Sequence, residues 1–156
     1  KLSPKENLNI PPLNYDFVYK LKNEFKENEI IINGGINQTS EILNHLKLVD
    51  GAMIGRAIYH SPYFLADIEK EIFKNENVPS RAEVMENLIP YIQKQTSKGV
   101  QLNHIMRHTI GLFHGQNGSK AWKQYLSKNM CIRNAELQKV NHIMDHIKNN
   151  SISLER

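Results

Sequence analysis

The sequence predicts an α/β segment followed by an all-α segment, and two observations carry that prediction. In the first half, short β-branched runs alternate with helical periodicities: Ile30-Ile31-Ile32 and Val49 to Ile54 are each followed by a helix. Beyond Asn75-Glu76-Asn77-Val78-Pro79 the periodicity is helical only. The order strand, helix, strand, helix with short connections calls for parallel strands joined by a right-handed crossover. The boundary is placed between residues 76 and 77, giving domains 1–76 and 77–156.

Each element has a local cause. Ser3 to Pro12 is polar, ends in Pro11-Pro12 and reads as an extended arm. From Asn14 to Phe25 the residues Phe17, Val18, Leu21 and Phe25 recur at helical spacing, and Asp16 sits in the first turn, where a carboxylate complements the helix dipole. Ile30-Ile31-Ile32 is uniformly apolar, the pattern of a strand covered on both faces, and it stops at Asn33-Gly34-Gly35. Thr39 or Ser40 caps a short helix through Leu46. Val49 to Ile54 is a second buried strand ending at Gly55-Arg56, and another helix covers about Pro62 to Phe73. Ser80-Arg81-Ala82-Glu83 has the capping-box pattern and starts a helix with Val84, Leu88, Tyr91 and Ile92 inward, a kink at Pro90 and a stop at Gly99. Helices over about Leu102 to Phe113, Ser119 to Lys128 and Ala135 to Lys148 complete a small bundle.

Composition narrows the function classes. The 156 residues suffice for one ordinary domain or two small ones. A hydrophobic fraction of 40% together with 8 glycines is ordinary for a globular chain and argues against disorder. No apolar run is long enough to span a membrane, and KLSPKENL has no signal-peptide core. Cys131 is the single cysteine, so no internal disulfide forms and a cytoplasmic location is expected. A first residue of Lys1 points to a piece of a longer chain.

Charge is divided unevenly. Residues 1–76 carry 9 basic and 11 acidic side chains, whereas residues 77–156 carry 11 and 5. From Asn87 to Ala135 there is no Asp or Glu, yet Lys94, Lys98, Arg107, Lys120, Lys123, Lys128 and Arg133 fall there. Such a field either attracts a polyanion or forms a solvated basic face.

Two constellations carry chemistry. Asn33-Gly34-Gly35 and Gly55-Arg56 both leave the carboxyl ends of neighbouring strands, and glycine lets bare backbone N–H groups approach an anion. Either motif alone is equally an ordinary tight turn; two in successive loops, with an arginine as forked donor, favour a phosphate site. The second is Gly115 to Lys123, where Ser119 is a candidate N-cap and Lys120 falls in the first turn, a position the macrodipole disfavours for a cation unless an anion is near. Lys120 and Lys123 share one helical face, solvated or phosphate-bound, and Trp122, Tyr125 and Leu126 form the other. His104 and His108 have metal-ligand spacing, but the intervening residues lack a zincin glutamate and no cysteine pair exists, so no metal is expected. Cys131 lacks a signature partner base, and no catalytic side chain is assigned.

Leu2-Ser3-Pro4-Lys5-Glu6-Asn7 with Ile10-Pro11-Pro12-Leu13, then Asn33-Gly34-Gly35-Ile36, Ile54-Gly55-Arg56-Ala57, Leu102-Asn103-His104, Arg107-His108 and Gly111-Leu112-Phe113, closely resemble the A-type tRNA-dihydrouridine synthases. The likeness runs in order over about Leu2 to Lys128 and matches the C-terminal part of that family. It implies the last βα units of a (β/α)8 TIM barrel over 1–76 and a helical tRNA-binding domain over 77–156. It further implies FMN as cofactor, NADPH as reductant, and as substrate a uridine flipped out of the tRNA D-loop. By the resemblance Asn33, Gly34, Gly35, Gly55 and Arg56 hold the FMN phosphate, and Lys5, Lys120 and Lys123 contact tRNA. Leu8 stands where the family has an arginine, which removes one phosphate contact. The family's catalytic cysteine and the lysine and histidine that grip the flavin belong to the first half of the barrel, and Cys131 does not stand in for that acid. A complete barrel takes about 250 residues and eight strands, so an N-terminal half is the implied partner and the chain alone is expected to be inactive. The alternative is a noncatalytic basic helical RNA-binding module carrying an inert α/β remnant.

Overall fold

In the computed structural model, which describes residues 13–116 and 119–130, the side chain of Asn14 caps the first helix by accepting the Phe17 amide at 3.1 Å. The arm over residues 3–12, Lys5, Cys131 and the helix expected at 135–148 lie outside the described residues. Two compact units, Lys1–Gly55 and Arg56–Arg156, make up the chain.

The first unit runs α1 (Tyr15–Glu24), β1 (Ile31–Asn33), α2 (Thr39–His45) and β2 (Gly51–Met53). The strands pair in parallel, with Ile31 beside Gly51, Ile32 beside Ala52 and Asn33 beside Met53, as the alternation of elements predicts. Ile32, Ile36, Ile42, His45 and Val49 are its buried side chains. The expectation of a strand covered on both faces is corrected. Ile32 is 1% exposed but Ile31 is 57% and Met53 45%, because the pleat sends alternate residues to opposite faces and only one face is covered among the described residues. The apolar spacing of α1 is likewise misleading at Phe17, which is 64% exposed, while Tyr15, Val18, Tyr19 and Leu21 are half-buried. Helix α2 is preceded by Gln38 rather than capped by Thr39 or Ser40. The Glu41 carboxylate reaches back to accept the Asn37 and Gln38 amides at 2.8 and 3.1 Å.

A polar clamp fixes where the strands begin. One Asp50 oxygen accepts the Ile30 amide at 2.8 Å and meets the Lys22 ammonium at 2.8 Å. Lys22 also donates to the carbonyls of Lys26 and Asn28, both at 2.9 Å, gathering the turn between α1 and β1.

The second unit comprises α3 (Arg56–His60), α4 (Phe64–Glu71), α5 (Arg81–Thr96), α6 (Leu102–Met106) continued by a 3₁₀ turn (Arg107–Thr109), and α7 (Ser119–Met130). The capping box of α5 forms as the Ser80–Glu83 spacing predicts: Ser80 Oγ accepts the Glu83 amide at 3.3 Å and the Ser80 amide donates to Glu83 at 2.7 Å. Helix α5 continues through Pro90, and Gly99, at φ 87°, lies in the turn that follows it. Its inward face is Met85 and Ile92, both 0% exposed, whereas Tyr91 is 51% exposed, contrary to the inward position its spacing suggests. Met85, Ile92, Leu102, Ile105, Met106, Leu112, Trp122 and Leu126 form one buried cluster. The Trp122 indole donates to the Thr109 carbonyl at 3.2 Å, so the one polar atom of that ring is satisfied.

Two further expectations change. The single helix over 102–113 ends as α6 and its 3₁₀ turn; a Cβ on Gly111 would lie 2.1 Å from the His60 carbonyl oxygen, so this segment runs backbone to backbone against the end of α3. Helix α3 occupies residues for which periodicity predicts no helix. Across residues 75–79, Tyr63 donates to the Pro79 carbonyl at 2.9 Å, the Arg81 guanidinium lies 3.7 Å over the Tyr63 ring, and Arg81 Nε donates to Leu112 O at 2.9 Å. These bonds tie the start of α4 to the helices after residue 80.

Candidate functional site

Parallel pairing dictates where the two glycine motifs go. Because Asn33 lies beside Met53, the Gly34-Gly35 turn and Gly55 leave the sheet at the same end, the carboxyl ends of both strands. Gly34 has φ 127° and Gly35 φ 65°, backbone conformations that L side chains rarely adopt. Asn33, Gly35 and Gly55 are exposed, and a Cβ on Gly55 would meet only Met53 Sδ, at 3.7 Å, among the described residues. The loops therefore present bare backbone to an approaching group, the property a phosphate needs from a glycine turn.

The back of the Gly34-Gly35 turn is filled by residues that sequence reasoning does not single out for the site. Leu13 methyls would stand 2.9 Å from a Cβ on Gly34, and the Tyr15 hydroxyl 3.1 Å from one on Gly35. Tyr15 donates to the Gly34 carbonyl at 2.6 Å. Its ring meets His45 edge-on at 4.7 Å, and His45 Nδ1 lies 2.7 Å from the Tyr19 hydroxyl, whose pKa burial raises by disfavouring the phenolate. Tyr15 does recur with Val18 and Tyr19 at helical spacing, a signal passed over when the apolar stripe is drawn through Phe17, Val18, Leu21 and Phe25.

In the second unit Arg56 is the first residue of α3 and is exposed. On α7, Lys120 and Lys123 are exposed on one side, while Trp122 at 5% and Leu126 at 0% pack inward. Ser119 is the first helical residue rather than the residue before it, so Lys120 remains in the first turn. Tyr59 is 66% exposed, with the His60 and His108 rings edge-on to it at 5.8 and 6.1 Å. Among the described residues no group of three His, Cys, Asp or Glu is placed to hold a metal ion, and no helix is long and apolar enough to cross a membrane.

Comparison with known proteins converges on one family. The family model described as "Dihydrouridine synthase (Dus)" matches residues 3–149. A tRNA-dihydrouridine(20/20a) synthase of Haemophilus ducreyi is 46% identical over 140 residues, covering 89% of this chain and 43% of the relative. Its counterpart in Synechocystis sp. is 47% identical over 135 residues, covering 86% of this chain and 40% of the relative. A third, from Vibrio cholerae, is 40% identical over 147 residues, 94% of this chain and 45% of the relative. The chain thus spans less than half the length of these curated relatives. With a match running through both glycine motifs and the helices beyond them, the chain belongs to the dihydrouridine synthase family.

Proposed function

We propose that this chain is the C-terminal part of a flavin-dependent tRNA-dihydrouridine synthase. In this reading residues 1–76 are the last βα units of a (β/α)8 barrel and residues 77–156 a helical tRNA-binding domain. The observation that carries it is the pair of glycine motifs emerging together at the carboxyl ends of two parallel strands, the face on which barrel enzymes place phosphate sites. Asn33, Gly34, Gly35, Gly55 and Arg56 hold the FMN phosphate, the glycine backbones donating and Arg56 supplying charge. The residues fit that group: Gly35 and Gly55 are exposed, and around Gly55 only Met53 Sδ, at 3.7 Å from a Cβ placed there, comes near among the described residues, so an anion can reach bare backbone. When bound, FMN supplies the hydride, replenished by NADPH, that with a proton saturates the uracil double bond of a tRNA uridine. Lys120 and Lys123, with Lys5 from outside the described residues, neutralise tRNA phosphates. No residue of this chain is assigned the proton donor. The implied partners are tRNA and an N-terminal barrel half, in the cytoplasm and without a membrane.

The experiment is an NMR titration of the labelled chain with FMN, riboflavin and inorganic phosphate, read at the amides of Gly34, Gly35 and Gly55. FMN and phosphate shift these amides and riboflavin does so far less. Binding is weak, since the phosphate loops hold one end of the cofactor only, and the purified chain is colourless and does not reduce tRNA uridines. Silence at all three glycines overturns the flavin reading. It would favour the second one, a noncatalytic basic RNA-binding module with an inert α/β remnant, for which the open sheet face at Ile31 and Met53 speaks.

A further inference from the structure

The phosphate-site reading leaves open what holds the glycine turn in a shape that suits an anion. Two consecutive positive-φ glycines have more accessible conformations than any other dipeptide, so an unsupported turn would lose considerable entropy on binding. Here the turn is supported from behind. Leu13 and Tyr15 occupy the space on the inner side of Gly34 and Gly35, and the Tyr15 hydroxyl donates to the Gly34 carbonyl at 2.6 Å. Tyr15 is itself fixed. Asn14 caps its helix, and its ring packs edge-on against His45, which is 6% exposed and hydrogen-bonded to Tyr19.

One covalent fact turns this support into direction. The peptide joining Gly34 to Gly35 is trans, so its carbonyl and its N–H point in opposite directions. Holding the Gly34 oxygen toward Tyr15 therefore holds the Gly35 N–H away from Tyr15, on the exposed side of the turn.

We infer that Tyr15 is a positioning residue of the phosphate cradle: its hydroxyl locks the Gly34–Gly35 peptide so that the Gly35 N–H is presented to the anion. Tyr15 does not touch the ligand. It acts through the peptide it orients, and the inference rests on the phosphate reading of these loops.

The test uses the whole chain, labelled with ¹³C and ¹⁵N, as wild type, Tyr15→Phe and Lys20→Gly. Phenylalanine keeps the ring against His45, so Tyr15→Phe removes the hydroxyl and little else, whereas Lys20→Gly lowers the helix propensity of α1 at an exposed position. In the ligand-free protein the Gly34 carbonyl ¹³C resonance moves upfield in Tyr15→Phe and stays put in Lys20→Gly. Titrated with inorganic phosphate and with FMN, Tyr15→Phe binds about tenfold more weakly at Gly35, the order of one hydrogen bond's worth, and Lys20→Gly binds as wild type does. The small response to riboflavin is the same in all three. A role confined to helix stability would weaken both variants alike, and that result overturns the inference. So does an unmoved Gly34 carbonyl, or equal phosphate affinity in wild type and Tyr15→Phe while the wild-type glycines respond. Wild-type glycines that ignore phosphate overturn the phosphate reading itself, and the inference falls with it.

Discussion

Asp50 shows how a single side chain sets a strand register. Its carboxylate bridges the residue before β1 and a lysine of α1, so the two strands start level, Ile31 beside Gly51. The Lys22 side chain first, and the Ile30 amide second, hold the Asp50 carboxyl below the ordinary aspartate value of 3.8. A folded-state value below the unfolded one means that this contribution is fully present above the ordinary aspartate range and is lost as pH falls through the folded value. The stability difference between wild type and Asp50→Asn, measured by denaturant unfolding from about pH 6 to pH 2, should therefore be greatest at the upper end and vanish at the lower. A difference that grows on acidification would mean that another group sets the register. Glu83 obeys the same logic at the start of α5, its carboxyl held low by the Ser80 side chain and then the Ser80 amide. The Ser80–Glu83 pair is legible in the sequence because capping boxes are local, three residues apart. Asp50 is not, since its partners are 20 and 28 residues away and are brought near only by the fold.

Among the elements, those with local causes are legible and those made by tertiary contact are not. Helix α1 follows from Asn14 and Asp16, and α5 from its capping box and apolar spacing. Helix α6 stops early because Gly111 runs against the His60 carbonyl, a constraint from 51 residues away that no periodicity records. Strand β1 is evident from its composition, but its open face is not, because an unbroken Ile30-Ile31-Ile32 run does not say which side is covered. That open face has a consequence for dynamics. Two three-residue strands form the whole sheet among the described residues, whereas α5, α6 and α7 close a core with four side chains at 0% exposure. Short two-stranded sheets are marginal on their own. In hydrogen exchange of the chain, amides from Ile30 to Ile32 and from Ala52 to Ile54 should exchange well before those of Leu88, Ile89 and Ile92. Equal, strong protection at both places would show that a second copy or another partner completes the sheet.

At the scale of the whole molecule, the surplus of positive charge is legible because it is a sum along the chain, while contacts such as that of Arg81 on Tyr63 are not, because tertiary packing makes them. In the proposed reading the basic half meets tRNA through Lys120 and Lys123. Both are exposed on α7, opposite the buried Trp122 and Leu126, so changing them leaves the core untouched. Glutamate in the first turn is also favoured by the helix dipole, which makes Lys120→Glu benign for folding. The proper control is Lys20→Glu with Lys26→Glu, two exposed lysines of the acidic half; Lys22 is unsuitable because it is tied to Asp50. Both double mutants change net charge equally. If α7 tracks the tRNA backbone, reversing Lys120 and Lys123 weakens tRNA binding and lowers the slope of log affinity against log salt by roughly 0.7 to 0.9 for each phosphate that is no longer neutralised, and the control does neither beyond a small uniform effect. Because phosphate contacts carry no sequence information, the weakening is the same for different tRNAs. A control pair that proves equally or more damaging would mean that affinity follows net charge alone, and α7 would then be a solvated basic face.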